Sequence, residues 1–186
     1  MWNVIEYAGF AVSAAYLIFE ILQKRIMWAF GLFSALLYMA VFINSELYAS
    51  ASMQLYYLAV SIVGWFKWGR DTSEGGVIVK PSLRVISISS IIALPGFILL
   101  YLVLYYFSND PAPLADAFIA TLSMLATYWL SLKYLEQWYL WMVANSCAVI
   151  LCFTQELYLT SLLYIIYLIA SIIGYFRWRN FERVLD

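Results

Sequence analysis

The chain has no histidine among its 186 residues. That removes imidazole as a general acid or base and as the commonest metal ligand. Cysteine is nearly as scarce: Cys147 and Cys152 are the only two, five positions apart in one apolar run. Their spacing fits neither a zinc site nor a thioredoxin-type motif, so both read as small apolar residues in a helix. Charge is thin as well, at 11% of residues against 66% hydrophobic, where an ordinary soluble domain carries about 25% charged residues. A soluble chain of this size leaves roughly 30% of its unfolded-chain surface exposed, and there are too few polar side chains to cover it. With a mean hydropathy of +0.86, the solvent must be lipid. The formal net charge of −1 gives no case for a nucleic-acid partner.

Two motif absences narrow the function. Nothing matches G-x-x-x-x-G-K-[ST], so ATP-driven transport by this chain alone is not expected. There is no row of intramembrane acids of the kind that forms a proton relay. With no catalytic constellation in view, the chain reads as a non-enzyme needing no cofactor. Passive facilitated transport is the simplest remaining mechanism.

What is abundant is apolar sequence. A bilayer core of ~30 Å needs about 20 apolar residues as helix. Runs of that kind predict spans at 4–22, 26–44, 47–66, 85–107, 115–132, 138–154 and 157–176. The apolar stretch begins at once and more spans follow it, so no cleavable leader is expected. Segment 67–84 contains Gly75-Gly76 and Pro81 and reads as a loop. The run Asn109-Asp110-Pro111-Ala112-Pro113 cannot continue a helix.

Charge sets the orientation. Lys24 and Arg25 follow the first span; Lys67, Arg70, Lys80 and Arg84 follow the third; Lys133 follows the fifth; Arg177, Arg179 and Arg183 follow the seventh. These are all ten basic residues, and seven spans put them on one side, the cytoplasmic one by the positive-inside rule. The N-terminus is therefore expected outside and the C-terminus in the cytoplasm.

The chain also repeats itself. A shift of 110 residues lays Glu46-Leu47-Tyr48, Tyr57-Leu58, Ser61-Ile62, Gly64 and Phe66-Lys67-Trp68 on Glu156-Leu157-Tyr158, Tyr167-Leu168, Ser171-Ile172, Gly174 and Phe176-Arg177-Trp178. Trp28 falls on Trp138 at the same offset. The expected fold class is an all-α integral membrane protein with a parallel 3+1+3 repeat. Its parts are a first three-helix unit at 1–66, a loop and linking helix at 67–114, and a second unit at 115–186. Parallel repeats of this type occur in transporters, with the substrate between the halves.

Polar groups inside hydrocarbon are costly unless they face protein or water, so each is a candidate site residue. Gln54 lies midway in the third span and Asn145 midway in the sixth. Trp138, Trp141 and Asn145 are spaced by three and four, which places them on one helix face. Two indoles and a carboxamide suit a flat, polar-edged ligand, and a cationic ring would gain roughly 0.5–2 kcal/mol from cation–π contact. A plainer reading stands beside it: tryptophan belts are normal near the interface, and asparagine joins helices by hydrogen bonds. Tyr38, Tyr56, Tyr57, Tyr164 and Tyr167 lie deep enough to line a pocket. Trp2, Trp65, Trp68 and Trp178 sit at span ends and read as interfacial belt residues. Glu20 reads as an i+4 partner of Lys24, in preference to a residue facing a cavity. Asp116 reads as a helix cap or an entrance residue. Gly31, Gly64 and Gly174 read as sites of close helix packing.

These residues carry a resemblance. Leu47-Tyr48-Ala49-Ser50, Gln54 and Gly64-Trp65-Phe66-Lys67-Trp68 resemble the third span of the PnuC family of bacterial vitamin transporters. Tyr134 through Trp141 with Asn145 resembles its W-x-x-W-x-x-x-N signature, and Asp116 with Leu122-Ser123-Met124 the start of its fifth span. The resemblance covers nearly the whole chain and is weakest at 67–84. It implies a SWEET-like fold, often a homotrimer, in the bacterial inner membrane. It implies uptake of nicotinamide riboside, or alternatively thiamine or riboflavin, by facilitated diffusion, with a cytoplasmic kinase trapping the product. Carried over by position, Trp138, Trp141 and Asn145 would contact substrate with Gln54 opposite, and Tyr57, Tyr38, Ser34 and Gln137 complete the candidate set. Ser34 is a departure, because nicotinamide riboside members often carry Asn three residues after the second-span glycine, here Gly31; this leaves a thiamine-type member open.

The orientation is checked by alkaline phosphatase fusions. A fusion after residue 110 is expected to be active, on the outer side, and one in the loop at 67–84 inactive; a cytoplasmic readout after residue 110 overturns the assignment.

Overall fold

The protein is described from a computed structural model covering residues 2–44, 48–69, 78–108 and 110–180. Glu46, Leu47, Arg70, Gly75, Gly76, Asn109 and Arg183, which entered the sequence reading, lie outside the described residues. Seven helices follow in order: α1 Trp2–Ile21, α2 Met27–Asn44, α3 Tyr48–Gly69, α4 Leu83–Phe107, α5 Pro113–Ser131, α6 Gln137–Thr154 and α7 Tyr158–Asn180. All seven expected spans are present. α3 and α7 run past their expected ends at 66 and 176, and the extra turns carry Trp68 and Trp178 inward.

Local chemistry fixes the ends. The Ser82 hydroxyl accepts from the Val85 N–H and caps α4. Pro113 opens α5, where a missing N–H costs nothing. Asp116 is not the cap of α5, since Ala112 holds that position; the Asp110 carboxylate accepts from the Ala112 N–H at 2.8 Å. α1 stops where Gln23 turns to φ 54°, and α5 stops where Lys133 turns to φ 59°.

Those two turns are copies. Lys24 N–H donates to the Phe19 carbonyl in one, and Tyr134 N–H to the Trp129 carbonyl in the other. Met27 bonds back to Lys24 as Gln137 does to Tyr134, and Trp28 to Arg25 as Trp138 does to Leu135. Every pair is 110 residues apart, so the sequence repeat is a repeat of backbone geometry.

The helices close a ring. α1 packs on α2, α2 on α3, α3 on α5, α5 on α6, α6 on α7, and α7 back on α1. Among the described residues α1 and α3 do not touch through their backbones, nor do α5 and α7 or α2 and α6. The contacts α1–α7 and α3–α5 join the halves and are equivalent under the repeat. α4 lies outside the ring against α5, where the Trp129 indole donates to the Ser89 hydroxyl at 3.2 Å. Most of α4 is bare: Leu83, Ile91, Ile92, Leu99 and Phe107 are all exposed. Soluble monomers rarely present such a continuous apolar face. Five helices meet the length and apolarity needed to cross a membrane when only described residues are counted.

Glycine sets the spacing inside each half. A Cβ on Gly64 would overlap the Trp28 ring, and one on Gly174 would overlap the Trp138 ring. The same seat recurs in both halves, in keeping with the close packing expected of these glycines. At Gly31 the added atom would meet the Tyr16 ring and the Ser61 hydroxyl at 3.0 Å.

Gly64→Ala and Gly174→Ala are each expected to destabilise the detergent-solubilised protein by about 1–3 kcal/mol through overpacking. Gly96→Ala has nothing within 4 Å of the new atom, so it is expected to be neutral or stabilising. Thermal unfolding of the three variants reads the contrast.

Candidate functional site

The two indole seats continue into a chain of four. Trp28 meets Trp68 edge to face at 5.8 Å and 82°. Trp138 meets Trp178 at 5.5 Å and 88°. Trp68 and Trp178 then meet each other at 6.1 Å. α3 and α7 are not neighbours in the ring, so this last contact spans its centre. The four rings are between 0% and 5% exposed and close the ring at the end that carries the basic residues. The belt reading of Trp68 and Trp178 is therefore corrected: a span-end position is compatible with an inward indole when helix partners cover it. Trp65 is half-buried with the Arg25 guanidinium 4.1 Å over its ring, while Arg25 Nε donates to its carbonyl. The side chain of Trp2 lies outside the described residues.

α6 presents the predicted stripe. Trp138 is wedged over Gly174 and against Trp178. Asn145 is buried, and its Nδ2 donates to the Ser171 hydroxyl at 3.2 Å, which itself donates to the Tyr167 carbonyl. Trp138 and Asn145 thus both turn toward α7. Trp141 is half-buried, and its Nε1 is buried without a hydrogen-bond partner among the described residues. Gln137 is fully buried, and neither its Oε1 nor its Nε2 has a partner there. Unsatisfied buried amides are rare, and each such group calls for an explanation.

The remaining candidates are distributed around the ring. Tyr57 packs edge to face on Tyr56 at 5.5 Å and lies within electrostatic reach of Tyr164 on α7. Tyr167 is within electrostatic reach of Tyr164 on its own helix and of Tyr38 on α2. Tyr38 stacks on Phe42 at 5.9 Å. The Ser34 and Ser13 hydroxyls are hydrogen-bonded at 2.6 Å and tie α2 to α1. Gln54 is half-buried midway along α3. Tyr56 does not face this set with its hydroxyl, which donates to the Met124 carbonyl of α5 at 2.5 Å.

The preferred reading of Glu20 is corrected as well. Glu20 does not pair with Lys24. It is 2% exposed with Oε1 unpartnered, while Lys24 is exposed. The i+4 argument assumes a continuous helix, and α1 ends at Ile21. A cavity of about 720 Å³ lies elsewhere, between α3, α4 and α5, lined by residues such as Ile92, Gly96, Leu99, Met124 and Tyr128. Of the candidate residues Tyr56 lines it, and the α6 stripe does not.

A family model described as "Nicotinamide mononucleotide transporter" matches residues 3–180. The chain belongs to this family. It is 27% identical to the nicotinamide riboside transporter PnuC of Escherichia coli (strain K12), over 87% of this chain and 79% of that protein. It is 28% identical to the nicotinamide riboside transporter PnuC of Haemophilus influenzae, over 80% of this chain and 67% of that one. A crystal structure of the vitamin B3 transporter PnuC superposes with a TM-score of 0.73 at 23% identity, covering 96% of this chain and 82% of that chain. The family's fold is thus the ring described above, and the chain is a multi-pass inner-membrane transporter.

Proposed function

We propose that this chain moves nicotinamide riboside across the bacterial inner membrane by facilitated diffusion, through the centre of the helix ring. The observation that carries the reading is the α6 stripe: Gln137, Trp138, Trp141 and Asn145, buried or half-buried, where both amide atoms of Gln137 and both indole nitrogens lack a partner among the described residues. The nicotinamide riboside transporters to which the chain is similar support the choice of ligand.

The chemistry suits a pyridinium carboxamide. Indole faces attract a cationic ring, worth up to roughly 2 kcal/mol when desolvated. The Gln137 amide offers an acceptor and a donor pair, which a primary carboxamide complements in a two-point contact. Its unpaired state costs on the order of 1–3 kcal/mol per group, and a bound ligand returns that cost. Asn145, Gln54, Tyr57, Tyr38 and Ser34 complete the proposed binding set. Trp138 is covered by protein in this conformation, so stacking on it requires the tryptophan chain to part, as alternating access demands. Transport is not coupled to an ion in this reading. A cytoplasmic kinase traps the nucleoside by adding a charged phosphate. The segments 1–66 and 115–186 act as the two moving halves, the basic end faces the cytoplasm, and copies of the chain associate in the bilayer, as a trimer.

Isothermal titration of the purified protein with nicotinamide riboside, thiamine and riboflavin in parallel tests this. Nicotinamide riboside is expected to bind, and Trp141→Ala with Asn145→Ala to abolish binding. Gln137→Met is expected to weaken it roughly 5–150-fold, the equivalent of about 1–3 kcal/mol. Unchanged binding in the Trp141/Asn145 double variant overturns the site, and preference for thiamine overturns the ligand.

A further inference from the structure

The pseudo-symmetry supplies an internal control for each buried polar residue. Glu20 near the end of α1 corresponds to Leu130 near the end of α5, 110 residues on. Leu130 is 0% exposed, so the frame asks only for a buried apolar side chain at that seat. In the first half the seat holds a carboxylic acid. Its Oε1 is buried and finds no hydrogen-bond partner among the described residues. A buried acid that the frame does not require, and its neighbours do not satisfy, is expected to face something that comes and goes.

The surroundings of Glu20 define the chemistry of that visitor. The Glu20 carbonyl accepts from the Trp178 indole at 3.1 Å, and Trp178 meets Trp138 edge to face. One turn earlier on the same face, Tyr16 lies beside Gly31 and Ser61 and within electrostatic reach of Tyr56, Tyr57 and Glu20. Among the described residues α1 and α3 share no backbone contact, so Tyr16 reaches the α3 side chains across the gap between the two helices. Lys133 touches the same tryptophan cluster, with its ammonium 4.9 Å over the Trp68 ring. A buried carboxyl group on the residue whose carbonyl receives the Trp178 indole joins an acid to a wall of indoles, a recognition set for a flat aromatic cation: the rings take its face and the ionised acid its charge.

We propose that Glu20 supplies the counter-charge for the cationic ring of the transported ligand, a role that rests on the vitamin-transport reading above. Neutral rings of the same shape then gain nothing from it.

The test compares nicotinamide riboside with its reduced dihydropyridine form, which has nearly the same shape and no ring charge. Titrations are run on wild type, Glu20→Gln and Glu20→Leu, the last copying the second half so that the fold is kept. Both variants are expected to bind the cationic form at least roughly tenfold more weakly, and the reduced form within roughly threefold of wild type. Equal loss for both forms, or no loss for either, overturns the role of Glu20 while leaving the transport reading intact. If wild type binds thiamine instead, thiamine and its uncharged 3-deaza analogue take the place of the two forms: selective loss of thiamine binding supports the role, and equal loss or none overturns it. If wild type binds no cationic ring, the transport reading fails and this inference with it.

Discussion

The seating of an indole on a glycine, made once in each half, holds this molecule in register. Lipid gives helices no hydrophobic reason to associate, so close fit must do it. Trp28 over Gly64 and Trp138 over Gly174 bring α2 against α3 and α6 against α7. Their edges then receive Trp68 and Trp178, which meet across the centre. Two intra-half contacts thereby become one structure that spans both halves and shuts one end of the ring. On the proposed central route a solute has to displace that structure, so the side chains that pack the halves would also gate them.

On this symmetric frame the polar residues are arranged asymmetrically. Gln137 answers Met27, Asn145 answers Ala35, Trp141 answers Gly31, and Glu20 answers Leu130, each 110 positions away. Met27, Ala35 and Leu130 are all buried, so apolar residues satisfy the frame at these seats. At Gly31, the position equivalent to Trp141, the Tyr16 ring and the Ser61 hydroxyl lie where a side chain would begin. A single ligand has no twofold symmetry, and the proposed site for it breaks the symmetry of the halves. The buried polar residues that break it lie on α6, at Gln137 and Asn145, and on α1, at Glu20.

The membrane class, the span count and the repeat were legible because each rests on composition or on a fixed offset, and neither depends on side-chain direction. The Trp138–Asn145 face was legible for the same reason that helical spacing works: both turn toward α7. Direction at span ends was not. Trp68 and Trp178 sit where interface and interior are one turn apart, and only the partner helix decides between them. The offset that aligned Trp28 with Trp138 also aligned Trp68 with Trp178, and that paired recurrence was the available signal for an interior role. Glu20 was misplaced because i+4 spacing was applied across a helix end, where positive φ at Gln23 throws Lys24 outward. The closing of the ring through α1–α7 and α3–α5, with α4 left outside, depends on which apolar faces find each other, and an all-apolar sequence does not rank them.

The central claim is that nicotinamide riboside crosses through this ring down its own gradient. Counterflow in proteoliposomes loaded with unlabelled nicotinamide riboside, with equal ion concentrations on both sides, measures that directly. External labelled nicotinamide riboside is predicted to accumulate transiently, and protein carrying Trp141→Ala and Asn145→Ala to lose that accumulation. Accumulation only when a proton or sodium gradient is imposed, or none from folded protein under either condition, would contradict it.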